Sequence, residues 1–255
     1  MRVIKLGGRA QNDPRLPGIV GERRDRDGGK LCIVHGGGDE ISVLQTALGR
    51  TPKFIEGRRV TTADDLQLLR MVLSGVINKR LVNAFVRAGV QSLGLSGEDG
   101  KLISARRGAD TSLGTVGIPA SVNSELLELL ITAGYMPVIS PVGYDPENAE
   151  TGALNVNGDD AAAAIAAALG ADELLFVADV EGVKNQDGNL IRTIASPDIG
   201  RLIADGTALG GMAAKLDAAR TALNCGVDRV RISDLEGIMD ESRGTAVKSS
   251  LGVLG

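Results

Sequence analysis

The sequence predicts an α/β fold in which a largely parallel sheet carries helices on both of its faces. Short apolar runs typical of buried strands alternate along the chain with segments whose apolar residues recur at helical spacing. Several of the runs stop abruptly at glycine, as Leu31–His35 does at Gly36-Gly37-Gly38. The composition is that of a globular chain, with 43% hydrophobic and 24% charged residues among 255.

The bulk properties argue against nucleic acid and membranes as partners. The net charge of −4 provides no basic surface field, and only 2% of the residues are aromatic, which leaves few rings to stack on bases. No apolar run reaches the roughly 18 residues of a membrane helix, and the N-terminus has no signal-peptide pattern. Cys32 and Cys225 are too few for a disulfide framework, so we expect a cytoplasmic protein with reduced thiols.

The first predicted strand, Arg2–Leu6, contains Lys5 and ends at Gly7-Gly8. A lysine among Val, Ile and Leu is costly to bury unless it meets an anion, although an edge strand could also turn it towards water. Residues 9–30 are polar, charge-rich and interrupted by glycine and proline. They predict a loop or a short, poorly packed helix.

The second strand, Leu31–His35, leads through its glycines into a predicted helix over 39–48. Its expected apolar face comprises Ile41, Leu44, Ala47 and Leu48. Backbone N–H groups and the positive end of the helix dipole can hold an anion in this geometry. A tight turn without a ligand explains the glycines equally well, because short glycine motifs have many false positives.

A hairpin is predicted around Glu56-Gly57, and it carries the adjacent arginines Arg58 and Arg59. Neighbours in a strand point to opposite faces, so only one of the two can enter a cleft. Thr62 then begins a helix. Its apolar face comprises Leu66, Leu69, Val72, Leu73 and Val76.

The middle of the chain continues the alternation of strands and helices. We expect a helix from residue 78 to Gly89, a strand over 90–95, an antiparallel pair of segments at 101–107 and 115–118, a helix from Asn123 to Gly134, and a strand over 135–140. Next, the segment 154–160 leads into an alanine-rich helix. Its polar side chains are Asn155, Asn157, Asp159 and Asp160. Helix capping accounts for one or two of them, and the remainder suit a ligand or the positioning of cations.

A lobe boundary is predicted at Gly170-Ala171, after which the pattern resumes. The predicted elements are a strand over 174–178, a turn over 179–188, a helix over 197–205, a loop over 206–211, a helix over 212–225 that carries Lys215, a strand over 227–232, a short helix near 235–240 and a closing strand over 244–247. Ligands of parallel sheets bind at the carboxyl ends of the strands. Gly7-Gly8, Gly36–Gly38 and Asp179–Gly182 all follow such ends.

Eight of these segments together resemble the amino acid kinase family, and they occur in the family's order. They are Val3–Gly8, Val34–Gly38, Gly57–Thr61, Val76–Lys79, Gly94–Gly100, Asn155–Asp159, Asp179–Val183 and Gly211–Lys215. The resemblance implies a three-layer αβα sandwich with a largely parallel central sheet, the amino acid kinase fold. It also implies an N-terminal lobe, 1–170, for acyl-amino-acid binding and dimerisation, and a C-terminal lobe, 171–255, for ATP.

The activity that the resemblance implies is transfer of the γ-phosphoryl group of ATP to the side-chain carboxylate of N-acetyl-L-glutamate, a step of arginine biosynthesis. The family's two phosphate-contacting lysines correspond to Lys5 and Lys215, and the aspartate that positions them corresponds to Asp159. Glycines that donate N–H groups to phosphates correspond to Gly7 and Gly8 on the nucleotide side. Those facing the acyl substrate correspond to Gly36 and Gly37.

The resemblance also assigns the remaining binding residues. Arg59 and Asn155 correspond to the pair that grips the α-carboxylate of the substrate. The adenine side corresponds to Asp179, Val180, Glu181, Gly182 and Val183 and to Thr207, Leu209 and Gly211. Mg²⁺ is implied as a bridge between the β- and γ-phosphates of ATP, without protein metal ligands. An acceptor carboxylate is already ionised at neutral pH, so no general base is needed and His35 is interpreted as structural.

Other readings remain open. A sister kinase for aminoadipate or glutamate bound to a carrier protein would share most of the motifs, whereas Gly57–Thr61 favours the free N-acetyl substrate. Kinases of the family for carbamate, aspartate, glutamate or uridylate share the glycine turns but not the Arg59–Asn155 pair. A non-catalytic metabolite-sensing subunit would be expected to lack Lys5, Asp159 or Lys215, and all three are present.

The sequence departs from the family's pattern at three places. Residues 9–30 lack the amphipathic helix that normally follows the first glycine pair. Asp160 stands where the family usually has Gln, and Gly158 replaces a small residue with a Cβ. The chain begins directly on its first strand, and by the resemblance this predicts an arginine-insensitive homodimer.

Overall fold

Apolar runs of the sequence form the strands of the molecule. The computed structural model describes residues 1–55, 57–147 and 152–249. Its strands are β1 (Arg2–Leu6), β2 (Leu31–His35), β3 (Phe54–Ile55), β4 (Arg58–Arg59), β5 (Ser92–Gly97), β6 (Ile103–Arg107), β7 (Val116–Val122), β8 (Met136–Tyr144), β9 (Ala153–Val156), β10 (Glu173–Val177), β11 (Thr193–Ala195), β12 (Arg229–Ser233) and β13 (Thr245–Lys248). The sequence did not predict β11, which is only three residues long.

The helices follow the strands in alternation. They are α1 (Leu16–Arg26), α2 (Gly38–Ala47), α3 (Ala63–Arg70), α4 (Asn78–Arg87), α5 (Ser124–Thr132), α6 (Gly158–Ala168), α7 (Ile199–Ala204) and α8 (Gly211–Asn224). Thr62 caps α3 with a reciprocal capping box to Asp65, and Asn123 caps α5. In the part of the chain that the structure describes, no helix combines the length and apolarity needed to cross a membrane.

Eleven strands of the described residues form a single sheet, as the α/β prediction requires. Its order is β11-β13-β12-β10-β1-β2-β8-β6-β7-β9, with β5 beside the first half of β8. The pairs β10–β1, β1–β2 and β2–β8 are parallel. Antiparallel pairing is found at β12–β13, at β8–β9 and at β6–β7, the last of which confirms the expected antiparallel pair.

Helices cover both faces of the sheet, which confirms the three-layer sandwich. Alternate residues of one strand point to opposite faces, so Val3 packs with α6 and α8, and Ile4 packs with α1, α3 and α4. The strand β10 pairs with β1, so the predicted lobes share this sheet. The lobe division at residue 170 stays a prediction, as does the assignment of each lobe to one substrate.

Residues 9–30 contain the eleven-residue helix α1, which agrees with the helical alternative of the prediction but packs more closely than expected. Leu16 and Val20 are fully buried, one turn apart, and Gly21 approaches Val90. The remaining attachment is ionic, since Arg23 pairs with Glu241 and Asp27 pairs with Arg2 of β1, each at 3.0 Å. The apolar stripe is therefore narrow, and periodicity alone could not reveal a helix that is held partly by charge.

The predicted apolar faces of two further helical segments are also corrected. In α2, Leu48 and Ala47 are exposed, and the polar Gln45 takes the buried position one turn after Ile41. Between α3 and α4, Met71–Ile77 is a π-helical segment that makes one continuous helical rod of 63–87. A π-helical turn contains more residues than an α-turn, so Ile77 is buried in place of Val76.

Candidate active site

Two lysines converge on a single buried aspartate at the carboxyl edge of the sheet. Lys5 lies on the same face of β1 as Val3 and so points towards the start of α6. Its Nζ lies 2.8 Å from Oδ1 of Asp159, and the Nζ of Lys215, on α8, lies 3.3 Å from Oδ2. We call these three residues the lysine–aspartate triad.

The triad is largely removed from solvent, with side-chain exposures of 8% for Lys5, 5% for Asp159 and 14% for Lys215. Burial lowers the pKa of Lys5, and the nearby Lys215 lowers it further, while Asp159 opposes both effects. Burial alone would raise the pKa of Asp159, but the two ammonium groups hold it below its usual value. Two positive charges and one negative charge therefore leave an excess positive charge at the end of β1.

The first turn of α6 fixes the aspartate of the triad. Asn157 caps the helix, and its side-chain oxygen accepts hydrogen bonds from the N–H groups of Asp159 and Asp160. The next position, Gly158, faces Lys5, and a Cβ there would lie 3.2 Å from the lysine Cε. The glycine thus leaves room for the lysine side chain to reach Asp159.

The glycine turns are only partly available as hydrogen-bond donors, which corrects one expectation. The N–H of Gly7 donates to the carbonyl of Val177, and the N–H of Gly36 donates to the carbonyl of Leu6. Both bonds extend the parallel ladder by one residue beyond the strands. Within the described residues no acceptor is within hydrogen-bond distance of the N–H groups of Gly8 and Gly37, and these two remain the candidate donors.

Steric contacts explain why two of the turn positions are glycine. A Cβ on Gly37 would lie 2.3 Å from Cδ1 of Ile77, so no side chain fits between the turn and the π-helical segment. Gly8 has φ of +52°, and a Cβ there would lie 2.4 Å from a carboxylate oxygen of Asp179. The backbone can therefore pass close to its neighbours at both turns.

Arg59 is buried beside the second glycine turn and is held by α2. Its guanidinium donates to Gln45, to the carbonyl of Gly38 at 2.8 Å and to Oγ of Ser42 at 2.7 Å. It also lies over the ring of Phe54, 4.6 Å from the centroid. Burial lowers the pKa of Arg59. These contacts fix the orientation of the guanidinium, as an anion site requires.

Asn155 is linked to the same arginine through one side chain. Its Nδ2 donates to Oγ1 of Thr61 at 2.9 Å, and Thr61 donates to the carbonyl of Arg59 at 3.1 Å. The two residues expected to grip a carboxylate are therefore coupled. The amide oxygen of Asn155 is left to accept from a ligand N–H.

His35 is fully buried at the end of β2, and the bonds around it support its interpretation as structural. Nδ1 is 3.0 Å from the carbonyl of Gly36, and Nε2 is 3.2 Å from Nδ2 of Asn78. The carbonyl needs a donor and the amide nitrogen needs an acceptor, so the neutral Nδ1-protonated ring fits both. Burial lowers the pKa of His35 to about 4.

The segment 179–183 follows β10 and is more exposed than the triad. Oδ1 of Asp179 accepts from the N–H groups of Arg9 and Ala10, so this carboxylate caps the turn after Gly8. Val180 is 41% exposed, and Glu181 is 3.7 Å from Arg192.

The last two residues of this segment serve the interior of the protein. Val183 is buried in the core, and its N–H donates to Thr245. A Cβ on Gly182 would lie 2.6 Å from Oγ1 of the same threonine. The close packing of β13 against this turn therefore explains why these positions are glycine and a buried valine. It also fixes the course of the backbone there.

The loop before α8 is on the surface. Leu209 is 70% exposed, Gly211 begins the helix, and the N–H of Thr207 donates to Asp205. Thr207 also lines a shallow surface depression together with Asn185.

One cavity of about 210 Å³ brings together eight of the seventeen predicted site residues. Its walls include Lys5, Gly7, Gly8, Gly36, Gly37, Arg59, Asn155 and Asp159. Lys215 reaches this group through its contact with Asp159. The residues of 179–183 and 207–211 do not line this cavity.

Comparison with known proteins agrees with this arrangement. The model of the amino acid kinase family matches residues 1–234. This chain belongs to the amino acid kinase family.

The individual relatives share one name. The chain is 43% identical over 245 residues to the acetylglutamate kinase of Roseiflexus sp. strain RS-1, covering 94% of this chain and 90% of that one. It is 40% identical over 257 residues to that of Methanopyrus kandleri, covering 97% and 100%. A crystal structure of a Streptococcus mutans UA159 protein, 30% identical, superposes with a TM-score of 0.87 and 98% coverage of both chains.

The site of this amino acid kinase depends on residues that the sequence analysis did not single out. Gln45 and Ser42 orient Arg59, and Asp65 in turn accepts a hydrogen bond from Gln45 at 2.8 Å. The one local pattern that could have indicated them is that Gln45 lies on the apolar face of α2, one turn after Ile41. The sequence analysis named Arg58 beside Arg59 but did not predict that it pairs with Asp160.

Mg²⁺ would find few protein ligands in this amino acid kinase. The described residues contain no cluster of three or more His, Cys, Asp or Glu side chains suited to a metal ion. Each carboxylate oxygen of Asp159 faces a lysine, so that residue does not fit as a direct ligand. The donor set therefore suits the phosphate groups of a nucleotide better than a metal ion.

Proposed function

We propose that the chain is an acetylglutamate kinase, which transfers the γ-phosphoryl group of ATP to the side-chain carboxylate of N-acetyl-L-glutamate. The products are N-acetylglutamyl 5-phosphate and ADP, in arginine biosynthesis. The observation that carries the proposal is the cavity that joins the lysine–aspartate triad to Arg59 and Asn155. The names of the relatives described above support the same substrate.

Arg59 and Asn155 would bind the acceptor. A static carboxylate favours the planar fork of arginine, and burial strengthens that interaction. The α-carboxylate of N-acetyl-L-glutamate would contact the guanidinium that Gln45 and Ser42 already orient. The coupling through Thr61 would place both groups at once.

The triad would stabilise the transferring phosphoryl group. A side-chain carboxylate oxygen of the acceptor attacks the γ-phosphorus, and the bond from that phosphorus to the β,γ-bridging oxygen breaks as ADP leaves. The acceptor is ionised at neutral pH, so the step requires no base, and catalysis consists of positioning and charge stabilisation. Lys5 and Lys215 would neutralise the group in transit and the leaving phosphate, while Asp159 keeps them apart and oriented.

The turns after β1 and β2 would complete the phosphate site. The N–H groups of Gly8 and Gly37 would donate hydrogen bonds to phosphate oxygens and to the acceptor. The positive end of the α2 dipole would attract the same negative charge. Segments 179–183 and 207–211 would contact the nucleotide base and ribose. Mg²⁺ would be carried by the phosphates of ATP and water, because it prefers oxygen ligands and retains several waters.

Assembly and location complete the proposal. Exposed apolar side chains on the rod of 63–87, among them Met71, Val76 and Val86, support a homodimer. The free thiols of Cys32 and Cys225 support a reducing, cytoplasmic location. Light scattering that gives twice the chain mass would support the dimer, and a monomer or hexamer would contradict it.

The test is ADP release by the purified protein with ATP and Mg²⁺. We expect turnover with N-acetyl-L-glutamate and little or none with glutamate, aminoadipate, carbamate or uridylate. A carrier-protein-linked substrate turned over in preference to the free one would favour the sister kinase. Nucleotide binding without turnover of any acceptor would favour a sensing subunit.

A further inference from the structure

The hairpin that carries Arg59 has little stability of its own. Its strands β3 and β4 are two residues long and pair only with each other, as Phe54 with Arg59 and Ile55 with Arg58. Phe54 is 54% exposed. An isolated two-stranded hairpin is at best marginally stable in water, so contacts with other elements must fix its position.

The two arginines of β4 attach the hairpin on opposite sides. Arg59 turns towards α2 through Gln45 and Ser42. Arg58 turns the other way, and its Nη1 lies 2.8 Å from Oδ2 of Asp160 in the first turn of α6. The alternation of side chains along a strand favours this division, although Arg58 is also among the residues that line the cavity of about 210 Å³. The hairpin is thereby held between two helices.

The ion pair of Arg58 with Asp160 is partly withdrawn from solvent, with side-chain exposures of 33% and 19%. Burial raises the pKa of Asp160, the like charges of Asp159 and Asp217 raise it further, and Arg58 opposes these effects. A carboxylate in such surroundings depends on its counter-ion. The pair is thus more than an ordinary surface contact.

The connection reaches the catalytic elements on both sides. Asp160 directly follows Asp159 of the triad, and Asn157 caps both N–H groups. At the tip of the hairpin, a Cβ on Gly57 would lie 3.3 Å from the carbonyl of Gly210, in the loop before α8. The hairpin therefore contacts α2, α6 and the approach to α8, which carries Lys215.

We propose that the Arg58–Asp160 ion pair positions the hairpin over the acceptor site, so that Arg59 meets the α-carboxylate of the substrate in register with the lysine–aspartate triad. The proposal rests on the proposed function, because it requires Arg59 to bind the acceptor. Arg58 and Asp160 are positioning residues, and they act through Arg59 and through the first turn of α6. Neither residue alone can position the hairpin, since loss of one leaves the other without its counter-charge.

The role predicts a split between kinetic constants. Arg58→Gln and Asp160→Asn should each raise the KM for N-acetyl-L-glutamate about ten-fold, because small displacements of a positioning group are costly. The KM for ATP and kcat should stay within about two-fold, since the triad is intact. Arg58→Lys, which retains the charge, should recover most of the affinity. In the double variant, the KM for N-acetyl-L-glutamate should be no higher than in the single variant with the larger KM, as expected for two partners of one contact.

A matched control is available in the Arg70–Glu98 pair, whose exposures of 26% and 27% are similar and whose atoms lie 2.5 Å apart. Arg70→Gln should leave both KM values unchanged. Thermal unfolding of every variant separates loss of fold from loss of positioning. Unchanged KM for the acceptor in Arg58→Gln and Asp160→Asn, or additive effects in the double variant, would overturn the proposal.

Failure of the proposed function would look different. A wild-type protein that does not turn over N-acetyl-L-glutamate would overturn the proposed function and this proposal with it. A wild-type protein that is active, with variants whose acceptor KM is unaltered, would overturn the positioning role alone. Equal rises in both KM values with a lowered unfolding temperature would mean that the pair only stabilises the fold, and would also overturn it.

Discussion

The proposed acceptor half and the proposed nucleotide half of the site are built differently. The acceptor half comprises Lys5, Arg59, Asn155 and Asp159. These side chains are buried or half-buried, and each forms a hydrogen bond or an ion pair with a residue of a neighbouring element. The nucleotide half comprises the segments 179–183 and 207–211, which are loops with residues as exposed as Leu209. Contacts at the ends of buried strands fix the side chains of the first half. The second half depends more on its ligand.

The difference follows from the sheet. β1 and β2 are central strands, covered on both faces, and the groups at their ends inherit that rigidity. The segments 179–183 and 207–211 connect elements near the surface, and they expose Val180 and Leu209 although Val183 and Ala208 are buried. We therefore expect substitutions in the acceptor half to affect the reaction strongly and those in the nucleotide loops to affect it weakly.

The largest effect is expected at the triad, where the two halves meet. Lys215→Ala should lower kcat about 1,000-fold, or about 4 kcal/mol, because its contact with the phosphoryl group strengthens in the transition state. The KM for ATP should rise only modestly. Steady-state ADP release checks both constants, and the exposed Lys30→Ala is the control. Wild-type kcat in Lys215→Ala would remove this residue from the mechanism.

A second test uses acid to probe the buried end of β2, which lies beside the acceptor half. His35 has a folded-state pKa of about 4, below its ordinary value of about 6.5, so the unfolded chain takes up the proton first as pH falls. Stability is therefore complete above pH 6.5 and is lost as pH falls towards 4, by up to about 3 kcal/mol. Denaturant unfolding across this window measures it.

The sequence contains a single histidine, which makes the assignment clean. In His35→Asn the slope of unfolding free energy against pH between 6.5 and 4 should flatten, whatever the variant's absolute stability. An unchanged slope would mean that His35 is not held neutral, and would weaken the account of a rigid, dry end to β2.

Local patterns in the sequence mark the glycine turns, Lys5 and the polar cluster that contains Asp159, whereas the role of Lys215 and its grouping with Lys5 and Asp159 came from the resemblance. Gly7-Gly8 and Gly36–Gly38 end apolar runs, and Lys5 interrupts one of them. The binding roles of Arg59 and Asn155 came only from the resemblance. By contrast, the hydrogen-bonded residues Gln45 and Arg59 are 14 positions apart in the sequence, and Arg58 and Asp160 are 102 positions apart. No periodicity encodes such pairings, because they depend on how distant elements meet.

The fold shows the same limits. Strand and helix order was predictable from alternation and caps, whereas α1 was predicted only as an alternative to a loop, since arginine pairs replace part of its apolar face. The π-helical segment was not predicted. One additional residue per turn moves the buried apolar position from Val76 to Ile77, and the composition of the segment does not reveal this shift.

A smaller effect is expected from the guanidinium of the acceptor half. Arg59→Lys should raise the KM for N-acetyl-L-glutamate 10- to 100-fold, about 1.4 to 2.8 kcal/mol, because an ammonium cannot reproduce the fork. The KM for ATP should be unchanged. Kinetics with each substrate varied in turn checks this, with the exposed Arg107→Lys as control. Equal rises in both KM values would contradict the separation of the two halves.

The smallest effect is expected in the nucleotide half. Leu209→Ala should change the KM for ATP less than about three-fold, under 1 kcal/mol, and leave the unfolding temperature unaltered, because the side chain is largely in solvent. Leu48→Ala, also exposed, is the matched control. A ten-fold rise in the KM for ATP would show that this loop is as organised as the acceptor half.

Calorimetric titration of N-acetyl-L-glutamate into the nucleotide-free protein tests the central claim most directly. If the acceptor half is organised without a ligand, the Kd should lie within about three-fold of the value measured with a saturating non-hydrolysable ATP analogue. Binding that requires the analogue, with no heat in its absence, would contradict an acceptor half assembled by the fold alone.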